Sequence, residues 1–238
     1  MSSVIPQYKL DKLVLHWLEE DTPSFDIAGA ILEDRPCQAN MIAKEKGIVA
    51  GIPFVDTVFK KLDCLVEWFV KDGHEIENTP LTICRIKGSA KNVLLGERLA
   101  LNIIARCSGV ATISHEAIKI VTHEKYNGLV AGTRKTTPGF RLVEKFGMLV
   151  GGVDSHRMDL SSMVMLKDNH IDSFKSIKNA VAVTKRFTGF HTKIEVECRN
   201  KQDAIEAILS GADVIMYRIS NLGLTILRQS LQNLLPRN

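Results

Sequence analysis

From residue 129 to residue 217 the chain repeats one pattern, a short apolar run followed by a segment with helical apolar spacing. The runs fall at residues 129–132, 163–166, 194–198 and 214–217, and helix-period segments occupy 177–183 and 202–209. Short apolar runs set between helical segments read as strands buried on both faces, and strand–helix alternation builds a parallel sheet. The rhythm therefore predicts a β/α barrel or a doubly wound sheet. A βα unit takes roughly 30 residues, so the stretch from Leu129 to Asn238 holds about four units, too few to close a barrel, and leaves the strand at Val214 as an edge.

The first half reads differently. Leu10, Leu13, Val14, Trp17 and Leu18 recur at helical spacing and predict an opening amphipathic helix. Strand-like stretches follow at 41–43, 48–52, 64–70 and 81–86, punctuated by Lys46-Gly47 and Asp72-Gly73 turns. Helical patterns at 90–105 and 110–121 then lead into the second half. The expected fold is α/β: an N-terminal α/β sandwich-like domain with a linking helix over 1–108, and a C-terminal α/β barrel, incomplete here, over 109–238.

Bulk properties narrow the function classes. Five scattered cysteines, Cys37, Cys64, Cys84, Cys107 and Cys198, form no Cys-x-x-Cys pair, so reduced core thiols are expected rather than a zinc or redox site. No apolar stretch reaches membrane-spanning length and the first residues lack a leader pattern, which gives no membrane role and a cytoplasmic location as expectations. The net charge of +4 is compatible with nucleic acid or with polyanionic substrates. The cations form no dense run and carry no interleaved aromatics, so a small anionic ligand is expected and nucleic acid is not.

In β/α barrels ligands collect at the C-terminal ends of the strands. Those ends carry Thr133-Arg134-Lys135-Thr136-Thr137, Lys167-Asp168-Asn169-His170, and Glu195 with Glu197. Arg134 offers a planar fork for a carboxylate or phosphate, and Lys135 and Lys167 are compact charges for phosphate oxygens. His156 and Arg157 follow the Gly151-Gly152 pair, where a loop can bring both onto one ligand or simply present polar groups to water. His170 can touch substrate or cap backbone groups. Glu195 and Glu197 share one face of a strand, and either can approach hydrated magnesium or ribose hydroxyls, or pair with a lysine.

The run Gly96-Glu97-Arg98-Leu99-Ala100-Leu101-Asn102, then Ala105-Arg106-Cys107-Ser108-Gly109, then Ala131-Gly132-Thr133-Arg134-Lys135-Thr136-Thr137-Pro138-Gly139 resembles quinolinate phosphoribosyltransferase. The similarity continues through Glu144-Lys145, Val150-Gly151-Gly152, His156-Arg157, Asp159-Leu160, residues 165–170 and Ile194-Glu195-Val196-Glu197, and spans roughly residues 8 to 216. The resemblance implies an N-terminal α/β domain beside an incomplete barrel, paired in a homodimer or higher homo-oligomer whose active sites borrow from both chains. It implies transfer of phosphoribosyl from phosphoribosyl pyrophosphate to quinolinate with decarboxylation, giving nicotinate mononucleotide, pyrophosphate and CO2 in de novo NAD biosynthesis. By the same resemblance Arg134, His156 and Arg157 hold the quinolinate carboxylates, with Arg98 arriving from the partner subunit. Thr133, Lys135 and Lys167 line the phosphate side, and Glu197 serves the ribose hydroxyls and the Mg2+ bound with phosphoribosyl pyrophosphate. Lys135, Lys167 and Glu197 are the catalytic candidates.

After Met216 the family continues Leu-Asp-Asn, whereas this chain reads Tyr217-Arg218-Ile219-Ser220. The expectation is a truncated, rewritten end, of the kind a frameshift, intron read-through or alternative transcript leaves, with a helix around Leu222, Leu224, Ile226, Leu227, Leu231 and Leu234. A second functional expectation follows: a catalytically impaired chain that pairs with and modulates a full-length homologue.

Overall fold

The computed structural model describes residues 4–32, 34–124 and 128–217. The expected rewritten end from Arg218 onward, and the helix expected within it, lie outside the described residues. Contacts divide the chain into a first unit, Met1–His156, and a second, Arg157–Asn238.

The first unit opens with α1 (Gln7–Asp21), which buries Leu10, Val14 and Trp17 as its spacing predicts. A single turn, α2 (Ile27–Ala30), is capped by Asp26, whose carboxylate accepts from the Gly29 N–H. Strand β1 (Pro36–Ala43) precedes β2 (Gly47–Ile48), α3 (Ile52–Lys61), β3 (Leu65–Trp68), β4 (Glu75–Ile76) and β5 (Leu81–Ser89). Antiparallel pairing gives one sheet in the order β1-β5-β3 and a small ribbon of β2 with β4. Of the strand expected at 48–52 only Ile48 lies in one, β2. Gly51 takes φ 113°, Pro53 sits in the first helical turn, and Asp72 accepts from the Gly51 and Ile52 N–H groups, so the chain turns into α3.

The two helical patterns before residue 121 form one 34-residue helix, α4 (Ala90–His123). Ser108-Gly109 does not break it, because Ser108 Oγ accepts from Ala50 N at 3.0 Å and donates to Ala50 O at 3.2 Å while Gly109 faces open space. An interior glycine costs a helix only about 1 kcal/mol, which this packing offsets. Helix α4 serves two cores. Ile103, Cys107 and Ala111 join Trp17, Phe54 and Phe146, whereas Val93, Ala100 and Ile104 pack on the sheet with Val55, Ile83 and Ile86. Helix α5 (Arg141–Val150) closes the unit's core through Val143 and Phe146. A Cβ at Gly151, just past its end, would come within 2.3 Å of Ala111 O, so only glycine permits this approach to α4. The strand expected at 129–132 is reduced to a parallel bridge between Ala131 and Asp154.

The second unit follows the predicted rhythm closely: β6 (Val164–Leu166), α6 (Asp168–Phe174), α7 (Ile177–Phe187), β7 (Ile194–Cys198), α8 (Lys201–Leu209) and β8 (Val214–Tyr217). The strands are parallel in the order β6-β7-β8. Ile194, Val196 and Cys198 of β7 pack with Ala180 and Val181 of α7 and Ala204 and Ala207 of α8. β8 is an edge among the described residues. No helix among them is long and apolar enough to cross a membrane. All five cysteines are free, and burial pushes the thiols of Cys84 and Cys198 up to about 12 and about 11, which removes them as nucleophiles at neutral pH.

Candidate active site

The candidate residues divide between the units. Arg98, Thr133, Arg134, Lys135 and His156 belong to the first, and Arg157, Lys167 and Glu197 to the second.

In the first unit, Arg98 is exposed on α4, and it is Arg106 of the same helix that reaches inward, to Glu144. Thr133 and Lys135 are exposed and joined by a 3.3 Å bond from Lys135 N to Thr133 Oγ1. Arg134 is half-buried between them, and its Nε is a buried donor with no hydrogen-bond partner among the described residues. A buried guanidinium N–H left unmatched is costly unless an anion meets it, so this donor suits a carboxylate or phosphate ligand. The loop carrying these residues is tied to the one carrying His156: Gly132 N donates to Asp154 O at 2.8 Å and Asp154 N to Val130 O at 2.9 Å. His156 then takes a left-handed φ of 53°, an uncommon conformation for a non-glycine residue, and its N–H donates to Asp154 Oδ1 at 2.6 Å.

In the second unit the guanidinium of Arg157 is engaged locally, Nη1 donating to Met163 O at 3.3 Å and Nη2 lying 3.4 Å from Met165 Sδ. Lys167 follows β6 as the N-cap residue of α6, and the residue is exposed. His170 Nδ1 accepts from Lys167 N at 3.0 Å, so of the two roles open to it the imidazole takes the capping one. On β7 Glu195 is buried and Glu197 half-buried, and register places Val196 beside Leu166, the residue before Lys167. No group of three or more His, Cys, Asp or Glu among the described residues could hold a metal by itself.

Two charged residues beside these loops carry no role in the motif comparison. Glu144 and Lys145, adjacent on α5, are 6% and 1% exposed. The available signal was a charged pair inside an apolar helical run, Leu-Val-Glu-Lys-Phe, where burial demands partners.

Comparison with known proteins decides the family. The model of the quinolinate phosphoribosyl transferase N-terminal domain matches residues 23–108, and that of the C-terminal domain matches residues 110–236. The chain belongs to the quinolinate phosphoribosyltransferase family. The C-terminal match runs beyond Met216, where the motif comparison loses the resemblance. A carboxylating nicotinate-nucleotide pyrophosphorylase of Dictyostelium discoideum is 44% identical over 230 residues, which cover 91% of this chain and 77% of that protein. The Homo sapiens protein of the same name is 43% identical over 217 residues, covering 91% and 72%. Among solved structures, NadC from Streptococcus pyogenes superimposes with a TM-score of 0.86 at 31% identity over 97% of this chain and 81% of that one. The nicotinate-nucleotide pyrophosphorylase of Francisella tularensis gives 0.84 at 30% identity, over 96% and 83%.

Proposed function

We propose that this chain is a decarboxylating phosphoribosyltransferase, joining quinolinate to phosphoribosyl pyrophosphate and releasing nicotinate mononucleotide, pyrophosphate and CO2 for NAD biosynthesis. The observation that carries the reading is the unmatched, buried Nε of Arg134 in a cationic loop of a chain 43–44% identical to enzymes named for this product. The comparisons lend nothing to the alternative of a non-catalytic chain that modulates a longer homologue.

In this reading, carried over from the family resemblance, Arg134, His156 and Arg157 bind the pyridine dicarboxylate, and Arg98 comes from a partner subunit of a homo-oligomer. Thr133, Lys135 and Lys167 meet the phosphates. The ring nitrogen attacks the anomeric carbon as its bond to pyrophosphate breaks, so positive charge grows on the sugar and negative charge on the leaving group. Lys135 and Lys167 offset the negative charge that grows on the leaving group. The nitrogen is then cationic, the adjacent carboxylate leaves as CO2, and the electron pair left on the ring carbon takes a proton. Glu197 accepts from ribose hydroxyls in this reading.

The donor set also fits magnesium brought in by the pyrophosphate. Magnesium takes one or two carboxylates and fills its remaining positions with water and substrate oxygens, and Glu197, half-buried beside Glu195 on one face of β7, is such a partial set. When bound, it supplies charge neutralisation to the leaving pyrophosphate. A cytoplasmic location completes the reading.

The test is incubation of the purified chain with both substrates and Mg2+, following nicotinate mononucleotide by chromatography and CO2 from quinolinate labelled in its 2-carboxylate. Stoichiometric appearance of both is expected. No product from folded protein overturns the proposal. Mixing inactive Arg98→Ala and Arg134→Ala chains should regenerate part of the activity if Arg98 acts across subunits, and no recovery would place it within its own chain.

A further inference from the structure

Burying an ionised side chain is unfavourable unless its charge finds partners. Helix α5 buries two in succession, Glu144 and Lys145, within a segment otherwise packed on the core through Val143 and Phe146. Neighbouring residues on a helix point about 100° apart, so the pair cannot satisfy itself and each side chain leaves in its own direction.

Glu144 reaches the loop that carries Arg134 and Lys135. Its Oε2 accepts from Thr137 N at 3.1 Å and its Oε1 from Thr137 Oγ1 at 2.7 Å, while Arg106 of α4 also donates to Oε1 from 3.4 Å. Thr137 is thereby held at both its backbone and its hydroxyl. Lys145 reaches the other loop, where its ammonium donates to the carbonyl of Ser155, the residue before His156. Burial holds the Lys145 ammonium below the ordinary lysine range, and the charges around it are those of Arg141, Asp154 and Arg134, which locates it at the junction of the two loops.

The remaining fastenings close the figure. The Arg134 loop is pinned at its start by the pairing of Ala131 with Asp154 and at its end by Glu144. At Gly132 a Cβ would stand 2.4 Å from the sulfur of Met148, so the loop lies directly on α5. The His156 loop is pinned through Asp154 and, one residue on, through Lys145. The left-handed turn at His156 therefore follows two consecutive fixed residues.

We infer that Glu144 and Lys145 are positioning residues for the dicarboxylate site: one helix, through two adjacent buried charges, sets the Arg134–Lys135 loop and the His156 loop at a fixed separation. The inference rests on the proposed function, since it takes Arg134 and His156 as the groups that bind quinolinate. Neither Glu144 nor Lys145 touches substrate. Their work is to hold the guanidinium and the imidazole where two carboxylates of a rigid ring are met together, a geometry in which misplacement by about 1 Å can cost on the order of a hundredfold.

The experiment measures KM for each substrate, kcat, and quinolinate affinity by calorimetry for Glu144→Ala, Glu144→Gln, Lys145→Met, Lys145→Arg and Thr137→Val, with thermal melting as the control for folding. Glu144→Ala and Lys145→Met are expected to raise the quinolinate KM and Kd by about tenfold to a hundredfold in protein that still melts cooperatively. Lys145→Arg and Glu144→Gln should recover part of that loss, because each keeps a group able to bond the same loop atom. Thr137→Val removes only the hydroxyl bonded to Glu144, on an otherwise exposed residue, and should give a smaller rise in the same direction, and it decides the matter if the buried variants do not fold. A purely structural role would lower the active fraction and leave KM and Kd unchanged, and that result in the folded variants overturns the inference. Arg134→Ala, run in parallel, separates the two levels. Wild-type quinolinate affinity there overturns the functional reading itself, whereas lost affinity there with unchanged affinity in the anchor variants overturns the positioning role alone.

Discussion

The two units hold their polar residues in place by different means. In the first, side chains cross long stretches of sequence: Ser108 and Thr112 of α4 bond Ala50 and Ile48, Asp72 bonds Gly51 and Ile52, and Glu144 and Lys145 fasten two loops. In the second, most of the bonds are short-range, among them the caps of His170 on Lys167, Ser176 on Asn179 and Asn200 on Asp203, and the longer ones join Lys178 to Glu206, Lys185 to Ser210 and Ile194 to Asp213. An antiparallel layer bound to a long helix has irregular connections whose polar groups must find distant partners. A parallel βα repeat has regular ones that local caps satisfy. Damage to the first unit should therefore spread, and damage to the second should stay near its origin.

The largest effect expected from this contrast is at Phe54. It is fully buried, lies 6.5 Å from the ring of Trp17, and makes an edge contact with Phe146 at 5.7 Å, joining α1, α3 and α5. Phe54→Ala should destabilise by about 3–5 kcal/mol in chemical denaturation, and amide exchange should quicken in all three helices. Quickening confined to α3 would break the comparison.

Next comes Arg134→Ala, which removes a charge-assisted donor set and should weaken quinolinate binding about tenfold to a hundredfold with little change in melting. Lys12→Ala, on the exposed face of α1, should leave binding as it was. Equal effects in calorimetric titration would remove Arg134 from the site.

A smaller effect tests the local character of the second unit. Asn200 accepts from Asp203 N at 2.9 Å at the start of α8, and Asn200→Ala should cost about 1 kcal/mol, with faster exchange in α8 alone. Exchange spreading into α7 would show that this unit is as interlocked as the first.

The smallest concerns pH. Burial raises the Asp72 carboxyl above its ordinary value in spite of the two N–H donors from Ile52 and Gly51. The folded chain therefore holds that proton more tightly than the unfolded one, so this contribution to stability is complete below the unfolded carboxyl range and fades as pH rises through the raised value. Asp72→Asn keeps an acceptor oxygen and should flatten that part of the stability profile. An unchanged slope would assign it to other groups.

These outcomes bear on how much could be read in advance. In the second unit the expected strand at 194–198 is β7 residue for residue, and the helix expected at 202–209 differs from α8 by one position. Periodicity and caps lie within a few residues there, so a local reading reaches them. The same reading placed a strand at 48–52 and a break near Ser108, because neither Asp72 capping α3 nor Ala50 bonding Ser108 is visible from neighbouring residues. At the site, the sequence carried the residue types, Arg134 with Lys135, His156 with Arg157, and the glutamates of β7, since charge and hydrogen-bonding chemistry belong to the side chain itself.

By itself, then, the sequence determined the chemical class of ligand, the family, and the strand–helix order of the second unit, all properties of single residues or short windows. Only the tertiary structure decided that α4 is one helix, that His170 caps α6, that Arg157 touches Met163 and Met165, and that Glu144 and Lys145 face two loops from one helix. A buried charge announces that it needs a partner, but which partner it meets depends on chain brought alongside by packing.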